Sequence, residues 1–247
     1  MRRRTALWLV AGAAGAVMLG RPGERVGDAA RDLLPGPAFE FEPAPVEGFR
    51  VARLGPGSGV FDPLAGVAVA APAMPELAAP AERVGSIRFE GGAAVAPLAV
   101  AFTDFRCPHC RTLEATLERM DVAFSRREWP VFGPASEAAA RAALAAEAQD
   151  GRAAMTARLK RTSFAPNEAW LRAAAAEEGL DADKLLADMA GPAVAAALAE
   201  TAALARQFGL RGTPTLFYGW TILEGAAPRG VLRDLMAFER RDRFSRG

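Results

Sequence analysis

The chain has 247 residues, about half of them hydrophobic and 24% charged, which suits a globular domain of about 150–200 residues plus extensions. The net charge is +1. Arg2, Arg3 and Arg4 carry three positive charges ahead of an uncharged run, so the remainder sums to −2, and nothing in that balance points to nucleic acid. Two cysteines and one histidine exclude a multi-bridge disulfide framework and most histidine-based catalysis.

In chain order, residues 1–20 read as an export segment. Three arginines precede the uncharged run Thr5 to Gly20, which is shorter than the ~20 apolar residues of a comfortable membrane span. The segment is expected to be either a signal peptide or an N-terminal membrane anchor. Residues 21–83 are rich in Pro, Gly and Ala, with breakers such as Pro35-Gly36-Pro37 and Gly55-Pro56-Gly57, and read as a spacer with one short strand at about Phe49 to Leu54. Val84 to Phe89 alternates in part and is expected to be a further strand. Leu98 to Thr103 is apolar on both faces, which suits a central sheet strand.

After Cys110, the steps Leu113, Leu117, Met120 and Phe124 predict a helix to about Ser125. Trp129-Pro130-Val131-Phe132 is expected to be a second strand, pushed to an edge by its proline. Residues 136–208 read as helical throughout. Ser136, Asn167 and Asp181 are the expected N-caps, Gly179, Gly191 and Gly209 the stops, and Pro192 a first-turn residue. Strand character returns at Thr215 to Tyr218 and Thr221 to Leu223. A last helix spans about Arg229 to Glu239, and residues 241–247 form a charged tail expected to fray.

The chemistry concentrates in Cys107-Pro108-His109-Cys110, placed where a strand gives way to a helix. With Cys107 as N-cap, Pro108 falls at the first helical position, where its missing N–H is harmless. The amides of His109 and Cys110 then point at the Cys107 sulfur, together with the positive end of the helix. Cys110 shares the buried face of Leu113 and Leu117. Cys107 is therefore expected to be the exposed nucleophile and Cys110 the sheltered resolving thiol, with His109 adding to the pull on the thiolate. Stabilising that thiolate favours the reduced protein and so makes the disulfide an oxidant, by about 30 mV per pKa unit.

Three other readings compete. A structural disulfide between residues this close would close almost no loop. A structural metal site needs four ligands, and one chain offers two sulfurs and one crowded imidazole, so no metal is expected. A cysteine nucleophile with a histidine base lacks a histidine outside the motif.

Phe102 to Cys110 resembles the active-site strand and helix start of the DsbA family of thioredoxin-fold thiol:disulfide oxidoreductases, and Phe208 to Leu216 resembles that family's second signature. The resemblance covers about residues 84–240. It implies an α/β thioredoxin fold with a mixed central sheet and an inserted helical subdomain at about 136–208. It further implies a cis bond before Pro214 and a backbone at Thr213 that pairs with an extended substrate. No cofactor is implied. The position six residues before the first cysteine, where thioredoxins carry a buried acid, is Ala101, and Asp104 reads as an exposed structural aspartate. The threonine before Pro214 is the choice of the isomerase branch.

The expected function is an exported oxidoreductase that passes the Cys107–Cys110 disulfide to reduced, unfolded proteins and is re-oxidised by a DsbB-like membrane partner. The alternatives are a reductase or isomerase kept reduced by a partner, and a chaperone or binding protein with an idle dithiol.

Overall fold

The structure, a computed structural model, describes residues 39–54 and 99–245. The export segment at 1–20, most of the proposed spacer and the expected strand at Val84 to Phe89 lie outside the described residues. Six strands form one mixed sheet in the order β1-β2-β6-β5-β3-β4: β1 Phe39–Pro43, β2 Arg50–Leu54, β3 Ala99–Thr103, β4 Phe124–Glu128, β5 Thr215–Tyr218 and β6 Thr221–Glu224. β3 pairs in parallel with β4 and β2 with β6; the other neighbours are antiparallel. The seven helices among the described residues are α1 Pro108–Arg119, α2 Pro134–Ala146, α3 Arg152–Arg161, α4 Glu168–Glu177, α5 Ala182–Met189, α6 Pro192–Gln207 and α7 Arg229–Ser245.

β3 is buried at all five positions, as its unbroken apolar run predicts for a central strand. Phe102, Phe208, Phe217 and Ile222 join Phe49 in a core on the sheet, with ring centroids of Phe208 and Phe217 5.0 Å apart. A second core lies inside the helical insertion. There α2 buries six alanines beside Met155, Leu159, Leu171 and Leu185. Phe105, two residues before Cys107, belongs to this second core and anchors the active-site loop in the insertion.

Four expectations are corrected. First, α1 stops at Arg119; Asp121 turns the chain with φ 55°, and Phe124–Glu128 is strand, not helix. The period of Met120 and Phe124 mimicked a helix, and the charged run Arg126-Arg127-Glu128 hid a strand whose partners are other charges. Trp129 to Phe132 is consequently not a strand. Second, α2 is capped at Gly133 and not at Ser136, whose hydroxyl is turned inward. Asn167 and Asp181 do cap α4 and α5, accepting from Trp170 N and Lys184 N at 2.9 Å each.

Third, the strand expected at about Phe49 to Leu54 is present as β2, but Phe39–Pro43 is a further strand of the sheet within the stretch read as spacer. Phe41 stacks on Phe238 of α7 at 4.7 Å, and Arg50 lies over Phe238 while reaching Glu239 at 2.7 Å. The alternation Phe39-Glu40-Phe41-Glu42 carried this strand under a proline-rich composition. Fourth, the last helix continues to Ser245, through the stretch expected to fray. In the turn between β5 and β6, Gly219 has φ +60°, and a Cβ there would run into the Glu239 carboxylate, so only glycine fits.

Candidate active site

Cys107 occupies the N-cap of α1 in extended conformation (φ −79°, ψ 114°), with Pro108 entering the first turn. Its sulfur accepts from the Cys110 amide at 3.3 Å. On its other side it donates to the Thr213 carbonyl at 3.5 Å, across 106 residues of sequence. The Thr213–Pro214 bond is cis, as the family resemblance implied. Both cysteines are free thiols.

The two thiols, three residues apart, are driven in opposite directions. Cys107 falls from 9.0 to about 7, chiefly through the hydrogen bond from the Cys110 side chain. Burial opposes this, and the Cys110 amide, the Thr213 side chain and the His109 amide add to it. The Cys110 thiol is pushed far up by burial and then by the Cys107 sulfur beside it. Pro108 and His109 are exposed at the start of the helix. One expectation fails here. Cys107 is itself buried, at 2% exposure against 1% for Cys110. The Thr213 segment packs against the sulfur, a contact that no local pattern reports.

Asp104 is the second correction. It is 2% exposed. Its carboxylate accepts from the amides of Arg106 (2.7 Å), Val131 (2.7 Å) and Phe132 (3.2 Å) and from the Ser136 hydroxyl (2.7 Å). Its carbonyl accepts from Cys107 N at 3.2 Å. Four donors compensate its buried charge, and in doing so they lock the loop before Cys107 to the start of α2. Arg106 adds a second tie, donating to Ser163 O at 2.6 Å, and Arg111 donates back to Phe105 O at 2.9 Å.

One turn below Cys110, Glu114 is buried among cations. It meets Arg126 of β4 and Lys160 of α3, the latter at 2.5 Å, and accepts from the Thr103 hydroxyl at 2.7 Å. Arg126 also grips Glu128 through two bonds of 3.2 Å and lies 4.8 Å over the Phe105 ring. Burial disfavours the Arg126 charge, but Glu128 and Glu114 outweigh it and its pKa rises above the ordinary value. Sequence reading missed this cluster. The only signal was Glu114 at a helix position four after Cys110, inside an otherwise apolar face.

The sequence profile described as the DSBA-like thioredoxin domain matches residues 100–237. Among solved structures, the chain is similar to a thioredoxin-like oxidoreductase from Silicibacter pomeroyi DSS-3, with a TM-score of 0.54 and 35% identity over 58% of this chain and 86% of that one. It is also similar to the thiol-disulfide exchange protein alpha-DsbA2 from Wolbachia pipientis (TM-score 0.50, 26% identity, 57% of this chain and 80% of that one). A third is the catalytic domain of Proteus mirabilis ScsC (TM-score 0.50, 27% identity, 57% and 82%). No curated protein matches the chain.

Proposed function

The chain belongs to the DsbA-like thioredoxin domain family of thiol-disulfide oxidoreductases, and from that premise we propose that it is an exported oxidase whose Cys107–Cys110 disulfide passes to reduced, unfolded substrate proteins. The observation that carries exchange at this pair is the lowered Cys107 thiol, placed at a helix N-cap against the Thr213–Pro214 segment.

A substrate thiolate attacks the Cys107 sulfur, the Cys107–Cys110 bond breaks, and its electron pair leaves on Cys110, whose raised pKa draws a proton at once. A second substrate thiolate then attacks the substrate sulfur of the mixed disulfide. Cys107 leaves as a thiolate, and a lower pKa makes it the better leaving group. The substrate loses two electrons and two protons; the chain gains the two electrons. Each pKa unit by which Cys107 is lowered biases the couple toward the reduced chain by about 1.4 kcal/mol, or about 30 mV. Thr213 offers its backbone to an extended substrate in the manner of an added strand. A DsbB-like membrane partner returns the pair to the disulfide.

Export rests on Arg2, Arg3 and Arg4 ahead of the uncharged run to Gly20. It also agrees with the chemistry, since a disulfide donor works only where reductants do not discharge it. Residues 1–20 serve as signal peptide or tether, and the mass of the mature chain distinguishes the two. Thr213, the choice of the isomerase branch, favours a second reading in which a partner keeps the pair reduced. Thiol alkylation in intact cells decides: an oxidised pair supports the oxidase and a reduced pair the second reading. In vitro, Cys107→Ser abolishes disulfide formation in a reduced client protein. A variant that still suppresses client aggregation as well as the parent, with no exchange by the parent, assigns the fold to a chaperone instead.

A further inference from the structure

The segments that converge on the Cys107 sulfur carry a local excess of positive charge. Asp104 ties residues 131–136 to the loop before Cys107, and Arg106 ties Ser163 to it. The Cys107 thiol reaches Thr213, and Gly225 N donates to Pro214 O at 2.8 Å, which ties the turn leading into α7 to the same segment. Across residues 104–112, 131–136, 162–167, 211–214 and 224–229 there are four arginines, Arg106, Arg111, Arg211 and Arg229, against two carboxylates, Asp104 and Glu224.

Neither carboxylate offsets the whole rim. Asp104 is buried and turned to four donors, and Glu224 is held by Arg211 at 2.7 Å. Arg106 and Arg111 each donate to a backbone carbonyl, which pins the guanidinium without cancelling its charge. Among the described residues neither has a carboxylate partner, whereas Arg126, Arg141, Arg152, Arg158 and Arg172 all do. One of the four stands where a helix dipole disfavours a cation: Arg229 is exposed at the first position of α7, whose first turn holds no acidic residue. Since the whole chain is only +1, the excess belongs to this face and not to the composition.

We propose that this rim selects cysteines flanked by carboxylates, so that the chain exchanges with acidic thiol segments in preference to basic ones. The inference rests on the disulfide-exchange reading above. As the incoming thiolate bonds to the Cys107 sulfur and Cys110 departs with the electron pair, a carboxylate beside the substrate cysteine lies against Arg106 or Arg111. The attraction raises the encounter rate and is screened by salt.

The test uses the oxidised full chain and three unfolded single-cysteine peptides, identical except for Glu, Ala or Lys on both sides of the cysteine. Each rate is divided by that peptide's rate with the neutral 2-hydroxyethyl disulfide, which removes the effect of flanking charge on the peptide thiol itself. The Glu peptide is expected to react faster than the Lys peptide by roughly tenfold at low ionic strength. That ratio should fall toward one at about 0.5 M salt, where the Debye length is only a few Å, and in the Arg106→Gln, Arg111→Gln double variant. Equal normalised rates in the parent, a faster Lys peptide, or a ratio that resists salt overturns the proposal while exchange itself stands. A folded double variant that keeps the full ratio also overturns it. Absence of reaction with all three peptides overturns the exchange reading instead.

Discussion

The first two turns of the active-site helix handle buried charge in different ways. At its first turn the Cys107 sulfur meets an amide, a carbonyl and a second thiol. One turn below Cys110, Glu114 meets two cations, and Arg126 bridges it to a second carboxylate. The amide and the second thiol stabilise a thiolate by a small amount, while the carbonyl takes up the proton-bearing form, so the charge at Cys107 can come and go within the range of ordinary pH. Opposed ions hold each other in place, and the loss of either leaves the other stranded in a medium that solvates it poorly. The first turn is therefore suited to chemistry and the second to holding α1, β4 and α3 together. Asp104 belongs with the first by its neutral donors and with the second by its role, since it ties the loop to the insertion.

Removing a cation from the ionic turn tests the contrast most severely. Arg126→Leu takes away the cation that Glu114 and Glu128 share, leaving Lys160 on one and Arg152 on the other, and is expected to destabilise the fold by about 3 kcal/mol, read from the urea midpoint. The Cys107 titration should stay in place wherever the variant remains folded; a large shift there would merge the two regions into one. Asp104→Asn comes next. One amide oxygen must then serve donors that two carboxylate oxygens served before, and an NH2 group faces other donors. The expected loss is about 1–3 kcal/mol. Faster proteolysis in the 104–107 loop would locate the effect, and unchanged stability would show that the loop does not depend on the carboxylate.

At the dipolar turn, the rate of Cys107 alkylation should titrate near pH 7, about two units below the 9.0 of an unperturbed thiol. Because the folded pKa is the lower one, the stabilisation is complete above the unfolded value and is lost as pH falls through about 7. Between pH 7 and pH 9 the reduced chain should gain about 2 kcal/mol relative to Cys107→Ser, as seen in paired denaturation curves. If the difference between the two proteins is flat with pH, the thiolate is not stabilised by the fold. The smallest effect is expected for His109, an exposed residue beside the sulfur. His109→Ser should make the potential more negative by about 30 mV for each pKa unit by which Cys107 rises. An unchanged potential leaves the backbone and Cys110 as the whole cause.

What the amino-acid order determined by itself was local. A proline after a cysteine and an apolar face after that specify an N-capped helix with a sulfur at its mouth, since all the parts lie within one turn. The buried run Ala99–Thr103 and the caps Asn167 and Asp181 were legible for the same reason, as was the cis bond, through its signature. Meetings between distant segments were decided only in three dimensions. Asp104 read as exposed because only one of its four donors, the Arg106 amide, is local; the others, Val131, Phe132 and Ser136, lie 27 to 32 positions away. The start of β4 read as the end of a helix because Phe124 keeps the helical period, and the rest did not read as strand because Arg126 and Glu128 look solvated until Glu114 and Arg152 are packed against them. Polarity along a chain marks exposure only while the partners are unknown. A charge goes inside when the fold brings it an opposite charge or enough donors, and no periodicity records that.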